Sequence, residues 1–491
     1  MTTQELQPTS NEWTGQGLLL RKIDLLLLTG EMLMESGADT TRIMRTLKRV
    51  MAFFNFSEDN LQTYVNFNML MVNWSEKGRT FTKFRRIKKH GIDMTAISRI
   101  SLLSCKIGNE YYTIDQYEQE LKNIKSEARH YTPWQVALGG GLACGGFCIQ
   151  FGGDWTAFLY SSIAAVVGLR LRLWLNHQNG SNPYINVALS TFVATLMAWL
   201  TAYISLSSPI SAFLPPLLKS VTPWHPLLAC ALFVVPGVPL INFVSDLIAG
   251  HTQTGIIRAI NTLVIIFSMA FGIALAVKVF GIDNFVHDLS MTPHHNYITF
   301  AIAAAISAVG FSMIFNTPPR LLWVVALGGI IAVCSRNFVN LGASNQNIGL
   351  DMGLAVGSLA GSVLISLIVT RIIHSLHTPH QCLSIPSVIP MIPGVLMYRS
   401  LFALIGIHNS VNDITLGINN GVHASLVILC IATGVAIPNI FMRRLIAPKP
   451  AKGNHGTNVK PMLTSLSGIL NRQKAILLKA KKLDRVFQNL L

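Results

Sequence analysis

Two short runs in this chain carry a pattern that could do chemistry inside a lipid bilayer. Val235-Pro236-Gly237-Val238 and Ile392-Pro393-Gly394-Val395 each lie near the middle of a long apolar stretch. Proline removes a backbone donor and clashes with the preceding turn, and glycine tolerates unwound geometry, so each pair should break its helix. Carbonyls and half-helix amino termini released in this way can bind a small ion or a carboxylate at the midplane. A pair of packing kinks is the plainer alternative, and the matched position in two halves argues against it. Beyond the first pair, Asn242 and Asp246 share a helix face, where an amide and an acid could hold a substrate amine or relay a proton. An Asp246 merely solvated at the membrane surface is the competing reading. Beyond the second pair come Tyr398 and Arg399, and Arg399 lies too deep in its span for an ordinary loop charge. It could meet a substrate carboxylate, or form an ion pair with Asp246 or Asp351. Gly349, Gly353, Gly357 and Gly361 recur at every fourth position, which favours close helix packing, and Asp351 beside them is a second candidate for a coupling proton.

Other chemistries find little support. His374, His377 and His380 sit beside Pro379 and make a poor preformed metal site, so no metal is expected. Neither H-E-x-x-H nor G-x-S-x-G occurs, which leaves a zinc protease or a serine hydrolase without a motif. The seven cysteines lack metal-type spacing and most fall in apolar runs, where they act as small hydrophobes. No cofactor is implied.

The elements that must hold these residues follow from composition. The 491 residues are 51% hydrophobic and 12% charged, with mean hydropathy +0.46, which places the chain in the membrane class. Residues 1–133 hold 18 Lys/Arg and 15 Asp/Glu, 134–446 hold 11 and 6, and 447–491 hold 9 and 1. After Glu127 there is no glutamate, as a lipid solvent selects. The net charge of +16 is explained by basic loops and a basic tail rather than by nucleic acid. A cleavable signal peptide is not expected, because Arg21, Lys22 and Asp24 interrupt the first apolar stretch.

Four regions result: a soluble α/β domain over 1–133, a first membrane half over 134–282, a second over 283–446, and a tail over 447–491. In the first, helices are predicted at Leu18–Glu35, from Asp39 or Thr40 through Arg49, at Met94–Cys105 and at Ile114–His130. Gly37 suits a C-cap, and strands at Thr63–Trp74 and Thr80–Ile87 make a hairpin. Ten apolar segments of about 20 residues, the length that crosses hydrocarbon, lie at 134–152, 155–175, 184–206, 227–249, 259–280, 297–315, 321–340, 349–373, 383–406 and 421–442. Arg170, Arg172, Arg258, Arg320, Arg371, Arg443 and Arg444 all fall on the side of the first domain, so both termini are expected in the cytoplasm of an inner-membrane protein. An odd number of spans per half makes the halves inverted repeats. Over 461–491, leucines alternating with lysines predict an amphipathic helix on the membrane surface or an oligomerisation helix, and homo-oligomerisation is left open.

At this point the residues resemble a known family. Gly30-Glu31-Met32-Leu33-Met34-Glu35-Ser36-Gly37-Ala38-Asp39-Thr40-Thr41-Arg42 is similar to the G-E-x-L-x-x-S-G-A-x-T-x-R opening of the bacterial threonine/serine exporters. Pro236 to Asn242, Asp246 to His251 with Gly255 to Arg258, and Pro390 to Val395 with Tyr398-Arg399 resemble its membrane signatures, so the likeness covers 17–445. It implies proton-driven export of small hydrophilic amino acids. Related two-subunit systems match the two halves separately and imply succinate export as the alternative. The family's tail is usually shorter and less basic. A membrane-anchored enzyme or sensor, and a passive channel, are the rivals from other classes. The sequence reading thus expects Pro236, Gly237, Asn242, Asp246, Pro393, Gly394, Tyr398 and Arg399 to bind substrate, and Asp246 or Asp351 to carry the proton.

Overall fold

A computed structural model describes residues 10–446 except 77, 109–111, 179, 207–214, 216–218, 282–294, 344–346 and 406–410. The tail expected to be amphipathic lies outside the described residues.

The amino-terminal segment holds helices α1 (Ser10–Glu35), α2 (Thr40–Phe53), α3 (Met94–Lys106) and α4 (Ile114–Ser126), with strands β1 (Leu61–Asn66), β2 (Met69–Glu76) and β3 (Arg79–Arg86). The strands form an antiparallel sheet in the order β1-β2-β3, with Leu61 opposite Trp74 and Met69 opposite Arg86. The run read as one strand over Thr63–Trp74 is two: the Asn66 side chain accepts from the Phe67 N–H and starts a turn that alternation does not reveal. α1 packs on β2, α2 and α4, burying its Leu26, Thr29 and Leu33 together with Leu70 of β2, Leu47 of α2 and Tyr117 of α4. The Thr29 hydroxyl meets the Tyr117 hydroxyl at 2.7 Å, and Gly30 leaves no room for a methyl group beside Leu70. α1 ends where the sequence says it should. Gly37 takes φ +80°, the Ala38 N–H reaches back to Leu33 O at 3.1 Å, and Asp39 then caps α2 by accepting from the Arg42 N–H at 2.6 Å.

The remaining helices are α5 (Pro133–Gln150), α6 (Trp155–His177), α7 (Pro183–Leu206), α8 (His225–Ala229), α9 (Gly237–Ile248), α10 (Thr252–Val279), α11 (Tyr297–Ile314), α12 (Leu322–Asn340), α13 (Leu354–Leu376), α14 (His380–Val388), α15 (Gly394–Ile405) and α16 (Val411–Ile446). Seven helices are long and apolar enough to cross a membrane: Trp155–Leu175, Pro183–Leu206, Thr252–Val279, Tyr297–Ile314, Pro319–Asn340, Leu354–Ile373 and Ile414–Ile437. Two bent pairs, α8 with α9 and α14 with α15, raise the number to nine if each is one span. The chain is therefore polytopic, with seven to nine spans among the described residues. α5 stands where the first of the ten expected spans falls, but it is not among the seven.

α5 and α11 cross in opposite directions with almost no side chain between them. A Cβ on Gly139 would stand 3.0 Å from Gly310 O, one on Gly310 2.4 Å from Gly139 O, and one on Gly146 2.6 Å from Ala303 O. Small residues allow this approach, where dispersion rather than the hydrophobic effect holds helices together. α8 packs against α5, α6 and α7, and α14 packs in the same way against α11, α12 and α13. The glycine series is only half a helical stripe. Gly357 and Gly361 lie against Arg336 O and Ala332 O across α12, whereas Gly349 and Gly353 precede α13, with Gly353 at φ +84°. The eighth span therefore begins at Leu354 and not at 349.

The segment docks at one end of the helices, here the proximal end. The α11–α12 turn receives it: Met94 N–H donates to Phe315 O, the Thr95 hydroxyl to Asn316 O, and the Tyr131 hydroxyl to Thr317 O. Asn316 itself, at φ +53°, accepts from the His130 N–H and donates to Asp93 Oδ2.

Candidate functional site

Each proline–glycine pair breaks its helix, and the two breaks are built alike. Three residues of 3-10 helix precede each one, at Leu232–Val234 and at Ile389–Met391, and the bends are 59° and 57°. In the first, the Gly237 N–H donates to Val235 O at 2.8 Å across Pro236 at φ −80°, ψ 62°, an inverse γ-turn. In the second, the Gly394 N–H donates to Ile392 O at 2.8 Å. Proline has no N–H to continue the ladder, so the chain closes the smallest ring available and restarts the helix at glycine.

The breaks also meet each other. A Cβ on Gly237 would stand 2.3 Å from Ile389 Cδ1 and 2.7 Å from Ile392 Cδ1. One on Gly394 would stand 2.7 Å from Leu232 Cδ2 and 3.1 Å from Val235 Cγ2. Ile389 and Ile392 precede Gly394 as Leu232 and Val235 precede Gly237, so the contact is reciprocal. It is also apolar. Leu232, Ile389 and Ile392 are buried, and the crossing is filled with hydrocarbon where the sequence suggested open polar backbone.

The polar groups lie to either side. α9 runs from the crossing toward the proximal end, while α15 runs toward the distal end. The eight expected substrate residues therefore divide: Pro236, Gly237, Pro393 and Gly394 form the crossing, Asn242 and Asp246 lie proximal to it, and Tyr398 and Arg399 distal. Tyr398 is buried and donates its hydroxyl to Leu228 O of α8 at 2.9 Å, and Arg399 beside it is 7% exposed. Asp351 is not brought to either group. It lies in the exposed loop between α12 and α13, at φ +53°, with its N–H on Leu341 O at 3.0 Å.

On the proximal side Asn242 and Asp246 are completely buried, and what covers them is the turn between α1 and α2. Asn242 Nδ2 donates to Gly37 O at 2.9 Å. Asp246 Oδ1 accepts from the Thr40 N–H at 3.0 Å, so the carboxylate caps the first turn of α2, where a helix favours an anion. Asp246 Oδ2 faces Arg258 Nε of α10 at 3.3 Å, and Arg258 Nη2 reaches Ala38 O at 3.4 Å. Asp246 thus pairs with Arg258 and not with Arg399. From the second half Gln381 Nε2 donates to Asn242 Oδ1 at 2.8 Å, and Gln381 Oε1 accepts from Arg42 Nε at 3.3 Å. His380, next to Gln381, is buried between the Ser366 and Ser384 hydroxyls, each at 3.1 Å.

Gly37, Ala38, Thr40, Arg42, Arg258 and Gln381 were not among the expected site residues. The motif spanning Gly37 to Arg42 carried a signal of family and of capping, but none of location.

A cavity of about 300 Å³ opens beside this cluster, between the segment and the first half. Its wall includes Val235 and Pro236 of the break, Asn242, and the cations Arg129, Arg172 and Arg258, with no Asp or Glu among the lining residues. The guanidinium of Arg258 lies over the Phe67 ring at 5.7 Å, and Phe67 stacks on His90 at 4.1 Å. Desolvation, and after it the charge of Arg258, pushes the His90 imidazole down to about 4. A carboxylate entering here would meet donors, and beyond them the buried acid Asp246.

Comparison with known proteins assigns the chain to a family. Residues 24–280 match the family model described as "Putative threonine/serine exporter", and 300–441 match "Threonine/Serine exporter, ThrE". Among curated proteins, "Probable succinate transporter subunit YjjP" of Escherichia coli is 25% identical over 262 residues, covering 53% of this chain and 96% of that one. "Threonine/serine exporter" of Corynebacterium glutamicum is 20% identical over 437 residues, 87% of this chain and 83% of that one. "Probable threonine/serine exporter" of Mycobacterium tuberculosis is 20% identical over 424 residues, 84% and 75% respectively. No solved structure matches the chain.

Proposed function

The chain belongs to the threonine/serine exporter family, and from that premise we propose that it exports small hydrophilic amino acids, threonine and serine, driven by the proton gradient. The exporter so proposed crosses the membrane ten times in two inverted halves at 134–282 and 283–446, with α5 as the first span. A cytoplasmic domain over 1–133 sits at the proximal end, and both termini lie in the cytoplasm of the inner membrane. The observation that carries it is the reciprocal contact of the two breaks, Gly237 on Ile389 and Ile392, and Gly394 on Leu232 and Val235. Equivalent contacts made by equivalent residues of two halves are what alternating access needs, because tilting one half against the other exchanges which side is open.

In this reading the cytoplasmic cavity loads the cargo. Arg258 and Asn242 supply donors to its carboxylate, and Asp246 takes either the cargo's ammonium or the coupling proton, since a buried acid can hold only one of them. Tyr398 and Arg399 serve the distal exit. An enzyme or sensor merely anchored by these helices would have no use for paired breaks.

One observation favours a second cargo. Three arginines and no acid line the cavity, which suits a dicarboxylate such as succinate. The test is uptake of labelled threonine, serine and succinate into inside-out vesicles, with and without an imposed pH gradient. Gradient-dependent uptake of the amino acids supports the first reading. Uptake of succinate alone supports the second, and uptake unaffected by a protonophore makes the protein a channel.

A further inference from the structure

The turn that closes the proximal site presents an unusual set of groups to it. Gly37 O and Ala38 O are the acceptors for Asn242 Nδ2 and Arg258 Nη2, at 2.9 and 3.4 Å, and the Thr40 N–H is the donor to Asp246 Oδ1 at 3.0 Å. Two oxygens and one N–H group a few atoms apart are also what an α-amino acid offers, as a carboxylate and an ammonium. We propose that the α1–α2 turn is an internal ligand: it occupies the amino-acid site with its own backbone and must be displaced before cargo can bind.

Three features support displacement rather than permanent closure. The turn holds the site by backbone groups at these three contacts, so no charged group has to leave with it. Asp246 Oδ2 is buried and makes no hydrogen bond, only the ion pair with Arg258, so the carboxylate has unused acceptor capacity that an ammonium with three N–H groups would fill. The cavity reaches Gly37, Thr40 and Asn242 from the side, so cargo can arrive before the turn has withdrawn. Cargo and turn therefore compete for the same donors and the same acid. The apparent affinity is the intrinsic one reduced by the fraction of molecules in which the turn is out. Threonine and serine match the set, whereas a dicarboxylate would bring a second anion to Asp246.

The inference rests on the exporter reading, and exchange is measured separately from transport so that the two can fail separately. The full-length protein in lipid vesicles is followed by hydrogen–deuterium exchange in the peptide covering residues 36–43, with threonine, serine or succinate added. The expected result is that threonine and serine raise exchange there, because the Thr40 amide loses Asp246. Thr40→Pro removes that N–H at a first helical position, where proline is accommodated, and Asp39 at φ −69°, ψ 153° already has the backbone that a following proline requires. It should lower the KM for threonine in inside-out vesicles about tenfold, the weight of one hydrogen bond to a charged group. A transported amino acid that leaves exchange at 36–43 unchanged, or lowers it, overturns the internal ligand while the exporter stands. Transport of succinate alone overturns the amino-acid reading and the match to the turn with it.

Discussion

The two broken helices share a backbone and differ in what surrounds them. Asn242 and Arg399 stand the same number of residues past their glycines, and so do Asp246 and Ala403. Beyond the first break this helix face is polar, and it is covered by the amino-terminal turn. Beyond the second it carries Arg399 and Ala403, and Tyr398, one residue before Arg399, is bonded back to Leu228 of the opposite break. The difference teaches that the crossing itself is apolar and that the buried polar cluster lies beside it. The polar cluster forms where a third element, the turn over Gly37–Thr40, covers α9 and α10 of the first half. Among the described residues it does so on the proximal side only.

The comparison can be broken at its most polar point. Asp246→Leu leaves Arg258 buried without its counter-charge and should cost about 3–5 kcal/mol, read as a large fall in melting temperature. If Asp246→Leu melts like the wild type, the proximal cluster is not the buried ionic centre described. The reciprocity of the breaks is sharpened by Gly237→Ala and Gly394→Ala. Overpacking should cost about 1–3 kcal/mol at Gly237, where isoleucine tips stand 2.3 and 2.7 Å from the new methyl, and less at Gly394, where the nearest atoms are 2.7 and 3.1 Å away. A neutral Gly237→Ala together with a damaging Gly394→Ala would deny the equivalence. On the distal side Tyr398→Phe loses a single bond to a backbone carbonyl and should cost about 1 kcal/mol in denaturant unfolding. A loss as large as that of Asp246→Leu would erase the contrast between the two sides.

The smallest effect concerns His90. Its folded pKa is held at about 4, below the ordinary 6.5, so the unfolded chain takes up a proton first as the pH falls. The stability His90 confers is intact above pH 6.5, declines from 6.5 toward 4, and is level below that. The melting temperature of His90→Asn, subtracted from that of the wild type across this window, should show the decline, and a flat difference would contradict it.

The breaks were legible because their cause is local: a proline without an N–H beside a glycine means the same wherever it stands. The i, i+4 relation of Asn242 and Asp246 and the caps at Gly37 and Asp39 were legible for that reason too. What covers Asp246 was not, because its partner is an amide 206 residues away. Every residue but proline carries that N–H, so no letter marks the one that is used. Gly37 O and Ala38 O are invisible in the same way. Regular spacing misled where the backbone is irregular, as at Gly349 and Gly353, which keep a helical interval in a loop that runs through positive φ at Asp351 and Gly353.

The turn at Asn316 ties together parts of the molecule that the sequence keeps far apart. Its five bonds reach Asp93, Met94 and Thr95 on one strand of chain and His130 and Tyr131 on another, so the amino-terminal segment is riveted to α11 and α12 from two directions. Against the first half it rests on the Gly37–Thr40 turn, on β1 and on Phe67 in the turn that follows it. Mechanically it is a lever with its fulcrum in one half and its tip in the other. In the proposed alternating access, tilting the halves lifts or seats that tip with no separate signal, so the motion that exchanges the open side also draws the bolt.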